Sequence, residues 1–412
     1  MLDKFDSYKL SLVFFLLVLF GLVLSRALIS LGTVALFVTS IFIFIHFSQT
    51  QKAHFTSPIY WVPLVFFLLN FTVLFRIYNN NDLAKDFEIS VLWLIITFGI
   101  GVLIQKISNY HYLFIRTVLF VVVGVIGLLS VINYLMHQEE INQLLLQSKH
   151  IPIVGGMHHI YFGILNALLV LTKIAEWITS TNREKNMRLR VEDICTILIF
   201  ISLHILSSRT GLYAFYLVIP LLILVALIFN FSYYKKLYWL VVPIVIMPII
   251  SYSFFPSFKN KIVNTTEDLQ ATKEGGDEVN FKSMGMRLEA WKNAISLIKQ
   301  KPLIGHGAGN VESAMQQEYI LSDSDLLKEN RIGPHNQFFE FAIKFGISGM
   351  LLLLFLFFWL TLYAFRTKNL ILLGLISFIF VTLCLESVLE RQQGVILFSL
   401  IYFLALPLRK ND

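Results

Sequence analysis

Two arginines and a histidine, remote from one another in the chain, are the side chains best suited to chemistry. Arg209 stands in Ser207-Ser208-Arg209-Thr210-Gly211, between two long apolar runs. Small polar neighbours suggest a tight turn, where the planar guanidinium fork can grip a phosphate or carboxylate; the plainer alternative is a cation that snorkels at a membrane edge. His335 lies in Gly333-Pro334-His335-Asn336-Gln337-Phe338, where another apolar run begins. With Pro334 as first helical residue, His335 falls in the first turn, and the positive end of the helix dipole favours the neutral imidazole that a general base requires. A polar residue facing headgroups is the alternative. Arg287 opens an amphipathic segment, on the polar face with Glu289 and Lys292. Alone it reads as a solvated charge, but Arg331, four residues before His335, could join the same surface.

These residues must be positioned by a membrane scaffold. The chain has 412 residues, 57% apolar and only 14% charged, with 38 Phe and a mean hydropathy of +0.72. That balance excludes an ordinary soluble enzyme, a disordered chain and a secreted disulfide scaffold. Both cysteines, Cys195 and Cys384, lie in apolar runs, so neither a disulfide framework nor a Cys metal site is expected. The net charge of +7 is spread among short loops rather than along an aromatic-laced stripe, which points to membrane lipids and not to nucleic acid.

Twelve runs can span a bilayer: 9 to 25, 27 to 47, 58 to 75, 89 to 105, 113 to 135, 159 to 178, 193 to 207, 210 to 230, 238 to 255, 340 to 365, 369 to 385 and 394 to 408. With both termini inside, the tails and inner loops hold sixteen Lys/Arg and the short outer loops six, a positive-inside pattern. The expectation is an all-α polytopic protein of about twelve transmembrane helices with both termini cytoplasmic. Its parts are N-terminal membrane helices (1–192), helices carrying the Ser-Arg-Thr-Gly junction (193–255), a long outer loop (256–338) and C-terminal membrane helices (339–412).

The loop carries ten Lys/Arg and eleven Asp/Glu in 83 residues, a soluble composition. Leu288, Trp291, Ala294, Ile295 and Ile298 recur at helical spacing within 286–300 and predict a short amphipathic helix. Pro302, Gly305, Gly307 and Gly309 end it, and Asn310 can cap a second helix. Lys273 to Glu278 reads as a flexible turn. Asp323-Ser324-Asp325 lacks the preceding strand of a metal-binding DxD and reads as an acidic turn. Gly305-His306-Gly307-Ala308-Gly309 lacks the context of a phosphate loop. His158-His159-Ile160-Tyr161 opens the sixth run, where His159 and Tyr161 could line a groove or join an interfacial belt.

In order and spacing, Ser208-Arg209-Thr210-Gly211, Arg287 with Trp291, Pro302 with Gly305, Gly307 and Gly309, and His335-Asn336 with Phe338, Phe339, Gly346 and Gly349 resemble the C-terminal region of the O-antigen ligase and O-antigen polymerase superfamily. The resemblance runs from about residue 200 to 355. It implies a bacterial inner-membrane enzyme that moves a glycan from an undecaprenyl diphosphate carrier to a lipid or glycan acceptor hydroxyl on the periplasmic face. Arg209 and Arg287 would hold the diphosphate and His335 would take the acceptor's proton. Ser208, Arg331, Asn336, His159 and Tyr161 would help bind substrate, and neither metal nor other cofactor would be needed. Rival expectations are a transporter or flippase of lipid-linked glycan, which favours repeats and ionisable residues at mid-membrane, and a protein O-glycosyltransferase, which often carries a further soluble region.

Overall fold

The computed structural model describes residues 6–48, 64, 65, 67–69, 80–146, 150–179, 190–206, 208–229, 234–260, 262, 263, 280, 283–307 and 309–406. No strand occurs among them. The helices are α1 Ser7–Leu24, α2 Arg26–Ile45, α3 Asn80–Lys106, α4 Asn109–Met136, α5 Gln138–Leu146, α6 His159–Thr179, α7 Val191–Ile205, α8 Arg209–Ile228, α9 Tyr234–Phe254, α10 Ser283–Gln300, α11 Val311–Leu321, α12 Gln337–Arg366, α13 Leu370–Leu385 and α14 Gln392–Leu404.

Seven described helices are long and apolar enough to cross a bilayer: α1, α2, the part of α3 from Asp86, α4, α6, α8 and α12. The expected count of twelve is therefore reached only in part. The run at 58 to 75 lies mostly outside the described residues, and the Lys273 to Glu278 turn lies wholly outside them. Helices α7, α13 and α14 have 15, 16 and 13 residues. At 1.5 Å per residue they fall short of a roughly 30 Å core. The last two are short for a reason: the connector between them, Glu386 to Arg391, carries charge and is recessed, with Glu386, Val388 and Leu389 all buried.

Helix α6 is the axis of the bundle, with buried residues on every side, and it packs on α7, α8, α13 and α14. Close contact depends on Gly163 and Gly211, where α6 meets the start of α8: a Cβ on Gly211 would strike the backbone of Gly163, and one on Gly163 would strike Ser208. The outer-loop helices form a small core of their own, with Ala290, Ala294, Leu297, Val311, Ala314, Met315 and Tyr319 closing on Ile343 of α12. Here the amphipathic pattern is corrected. The buried stripe of α10 is Ala290, Asn293, Ala294 and Leu297, while Ile295 is exposed. Small side chains let the helices approach, and Asn293 is satisfied by donating to Glu289 O (2.9 Å) and accepting from Ser322 Oγ (2.7 Å).

Helix α12 is broken at Gly346, which has φ 78° and ψ −177°. The break frees backbone groups that the glycine-rich turn takes up: His306 N donates to Ile343 O (2.7 Å), Gly307 N to Lys344 O (3.0 Å), and Ile347 N to Pro302 O (2.7 Å). Gly305 (φ 65°) fits against this break, where any side chain would meet the α12 backbone. The turn expected from the glycine spacing is thus a lock that seats the loop on the membrane helix.

Candidate functional site

Glu386 caps the end of α13 in extended conformation (φ −151°, ψ 148°), with its carboxylate buried inside the bundle. Three segments converge on it. His335 Nδ1–H donates to Oε2 at 2.6 Å, Arg287 pairs with Oε1 while its Nη1 donates to Leu385 O (2.8 Å), and Thr210 Oγ1 donates to Oε1 at 3.5 Å. Burial works against ionisation, but the imidazole hydrogen bond and the Arg287 charge outweigh it and hold the Glu386 carboxyl below its ordinary value.

The loop helix α10 sets this geometry through two residues one turn apart. Arg287 holds Glu386, and Trp291 Nε1 donates to Pro334 O at 2.8 Å, fixing the turn before His335. His335 itself has φ 44°, a left-handed conformation that side chains rarely adopt and that costs about 1–3 kcal/mol unless the surroundings impose it. The expected helical placement is corrected here. Asn336 is the N-cap of α12, its Oδ1 accepting from the N–H groups of Phe338 (2.9 Å) and Phe339 (3.2 Å), so Pro334 and His335 precede the helix. In the neutral ring whose Nδ1 carries its proton toward Glu386, Nε2 is the acceptor nitrogen. The ring is about a third exposed (35%), at a cavity of about 350 Å³.

That cavity divides the residues singled out in the sequence. His335, Arg331 and Tyr161 line it. Arg287 stands behind its wall through Glu386. Arg209 opens α8 beside Thr210 and is not among the lining residues. Ser208 is buried and packed against Gly163, and its Oγ has no hydrogen-bond partner among the described residues. Asn336 is engaged in capping, its Nδ2 also donating to Cys384 O (3.0 Å). His159 stacks on His150 with ring centroids 4.1 Å apart, and His158 takes the place at the cavity. Burial, reinforced by neighbouring positive charge, pushes the His158 imidazole below its ordinary value.

Several lining residues escaped the sequence reading: Asp86, Glu340, Lys344, Glu386, Glu390 and Arg391. Lys344, on the segment of α12 above the break, pairs with Glu390 and with Asp86 (3.4 Å). Gln337 clamps the connector by donating to Glu390 Oε1 (2.7 Å) and accepting from Leu389 N (2.8 Å). Asp86 also accepts Gly309 N–H at 2.7 Å, tying the loop to α3. The available signal was four ionisable residues, Glu386, Glu390, Arg391 and the buried Lys344, in or beside stretches otherwise apolar. Among the described residues no three His, Cys, Asp or Glu side chains are grouped to hold a metal ion.

Residues 194–354 match the family described as O-antigen ligase, close to the range over which the sequence motifs carry that resemblance. A segment of 72 residues, 18% of the chain, is 29% identical to an uncharacterized protein of Haemophilus influenzae and spans 18% of that protein's length.

Proposed function

We propose that the protein is a membrane glycan transferase of the O-antigen ligase or polymerase type, and that His335 is its general base. The observation that carries this reading is the Glu386–His335 pair at a cavity: a buried carboxylate fixes the tautomer, and the second ring nitrogen is free to accept. A carboxylate that orients an imidazole in this way serves proton transfer from a hydroxyl nucleophile in unrelated enzymes. The family match supports the substrate classes, a lipid diphosphate-linked glycan and an acceptor hydroxyl.

In the reaction, the acceptor oxygen forms a bond to the anomeric carbon as Nε2 takes its proton. The bond from that carbon to the diphosphate oxygen breaks, and its electron pair leaves with the undecaprenyl diphosphate carrier. Arg287 acts through Glu386, keeping the carboxylate ionised and aimed at the imidazole. Arg209 begins α8 beside Thr210, and the resemblance gives it a share in holding the donor diphosphate. The site end of the bundle faces the periplasm, with both termini cytoplasmic, and the positive-inside count supports that orientation.

Purified protein in liposomes, given donor and acceptor, is expected to release free carrier diphosphate with each glycan joined. Movement of intact donor across the bilayer without that release would replace the reading by a transporter.

A further inference from the structure

Arginine side chains in and around the cavity differ in what already holds them. Arg287 is engaged by Glu386 and Leu385 O. Arg331 donates through Nε to Leu326 O (3.2 Å) and lies over the Tyr319 ring. Lys344 is buried between two carboxylates. Arg391 is different: it lines the cavity, is exposed, and its guanidinium has no ion pair or hydrogen bond among the described residues. A fork with all five donors open beside a proton acceptor is the group that an arriving anion meets first.

Its surroundings add two observations. Gln392 Nε2 donates to Ser30 Oγ at 3.0 Å, which brings the start of α14 to the start of α2, where Arg26 is also exposed. Both arginines are near enough to act electrostatically on His158 and Tyr161, two residues of the cavity wall. From Arg26 onward, α2 presents Leu31, Val34, Val38, Ile41 and Ile45 outward, a stripe suited to lipid tails. A lipid diphosphate needs this combination, with cations at the mouth of the cavity and an apolar track running from them into the bilayer.

We infer that Arg391, assisted by Arg26, binds the diphosphate of the polyprenyl-linked donor, with the isoprenoid chain lying along α2. The inference rests on the transferase reading and adds a phosphate contact at a residue outside the family-matched range of 194–354. Of the acidic lining residues, Asp86 and Glu390 are already paired with Lys344, which leaves the Arg391 guanidinium as the open cation for an arriving anion.

The test uses full-length protein in nanodiscs with undecaprenyl diphosphate as the probe, and undecaprenyl alcohol as its uncharged counterpart. Wild type and H335A should bind the diphosphate alike and prefer it to the alcohol. R391Q should bind it at least 10-fold more weakly and raise the donor KM while leaving kcat within about 3-fold; R391K should recover part of the affinity, and R26Q should show a smaller loss. Unchanged diphosphate affinity in R391Q would overturn the inference while leaving the general base untouched. Failure of wild type to prefer diphosphate over alcohol would remove the donor class itself, and the inference with it. Because Arg391 is exposed, a thermal melt equal to that of wild type separates lost binding from lost fold.

Discussion

Helix α6 has a cluster of buried charge at each end, and one of them opens onto the cavity that His335 lines. Near its last turn, Arg116 of α4 pairs with Glu176 and, through Nη2, with Glu192 at 2.5 Å; Lys173 reaches Glu192 (3.4 Å) and Asp193 (2.8 Å). Near its first turn, about 26 Å away at 1.5 Å per residue, Glu386 meets Arg287 and His335. The residue types are similar, but the first cluster is closed: Thr117 completes the coordination of Glu192 by donating to Oε1 at 2.8 Å, and none of its members lines the cavity. The second cluster ends in an imidazole with an open nitrogen. Buried ion pairs are therefore a poor sign of chemistry by themselves; what distinguishes a site is a group left unsaturated toward a space that substrate can enter.

The comparison breaks most directly at His335. His335→Ala should lower glycan transfer by roughly 10²–10⁴-fold with the amount of protein in the membrane unchanged, measured on reconstituted protein; wild-type turnover would remove the functional half of the contrast. Next is Glu386→Gln, which keeps the shape but loses the fixed charge. Transfer should fall about 10²-fold because the imidazole is no longer held in one tautomer. Arg116→Ala tests the other end. It strands two glutamates, one of them deeply buried, so stability should drop by about 3–5 kcal/mol while activity per folded molecule stays near wild type. A folded but inactive R116A would show that the two ends are coupled.

Acid provides a gentler probe. The folded Glu386 carboxyl titrates below its ordinary value near 4.5, so the unfolded chain takes up that proton first as pH falls. The stability contributed by Glu386 should be complete above about pH 4.5 and lost only as pH drops through the lowered value. Thermal melts of wild type and E386Q should therefore converge below pH 4.5; convergence near pH 6 would contradict the geometry. The smallest effect belongs to Ser208→Ala, expected to change stability by no more than about 0.5 kcal/mol and to leave transfer intact, since its Oγ has no hydrogen-bond partner to lose among the described residues.

What the sequence made legible follows the range of the forces involved. Long apolar runs report directly on burial in lipid, and the glycine spacing of the loop marked a turn that φ values of 65°, 92° and 80° at Gly305, Gly307 and Gly309 require. Arg287, His335 and Trp291 were visible as types suited to a site. Glu386 was not, because its partners lie 51 and 99 residues away and an acid after an apolar run reads as an ordinary helix end. The α10 stripe misled for a related reason: a close-packed interface selects Ala and a satisfied Asn over larger apolar residues. Arg209 illustrates the opposite case, a conspicuous arginine that the fold sets at a junction outside the cavity lining.

The break at Gly346 divides α12 into unequal lengths. Below it, Ile347 to Arg366 is about 30 Å of helix, one bilayer thickness. Above it, a short segment carries Glu340 and Lys344 and is fastened to the loop by two backbone hydrogen bonds, while a third joins Ile347, the first residue of the lower rod, to Pro302. Membranes of different thickness ask their helices to tilt. Because the loop turn also holds the first residues of the lower rod, through Ile347 N to Pro302 O and Ser348 Oγ to Leu303 O, a tilt of that rod bears directly on the loop, and lipid composition should alter the protein's posture around Gly346.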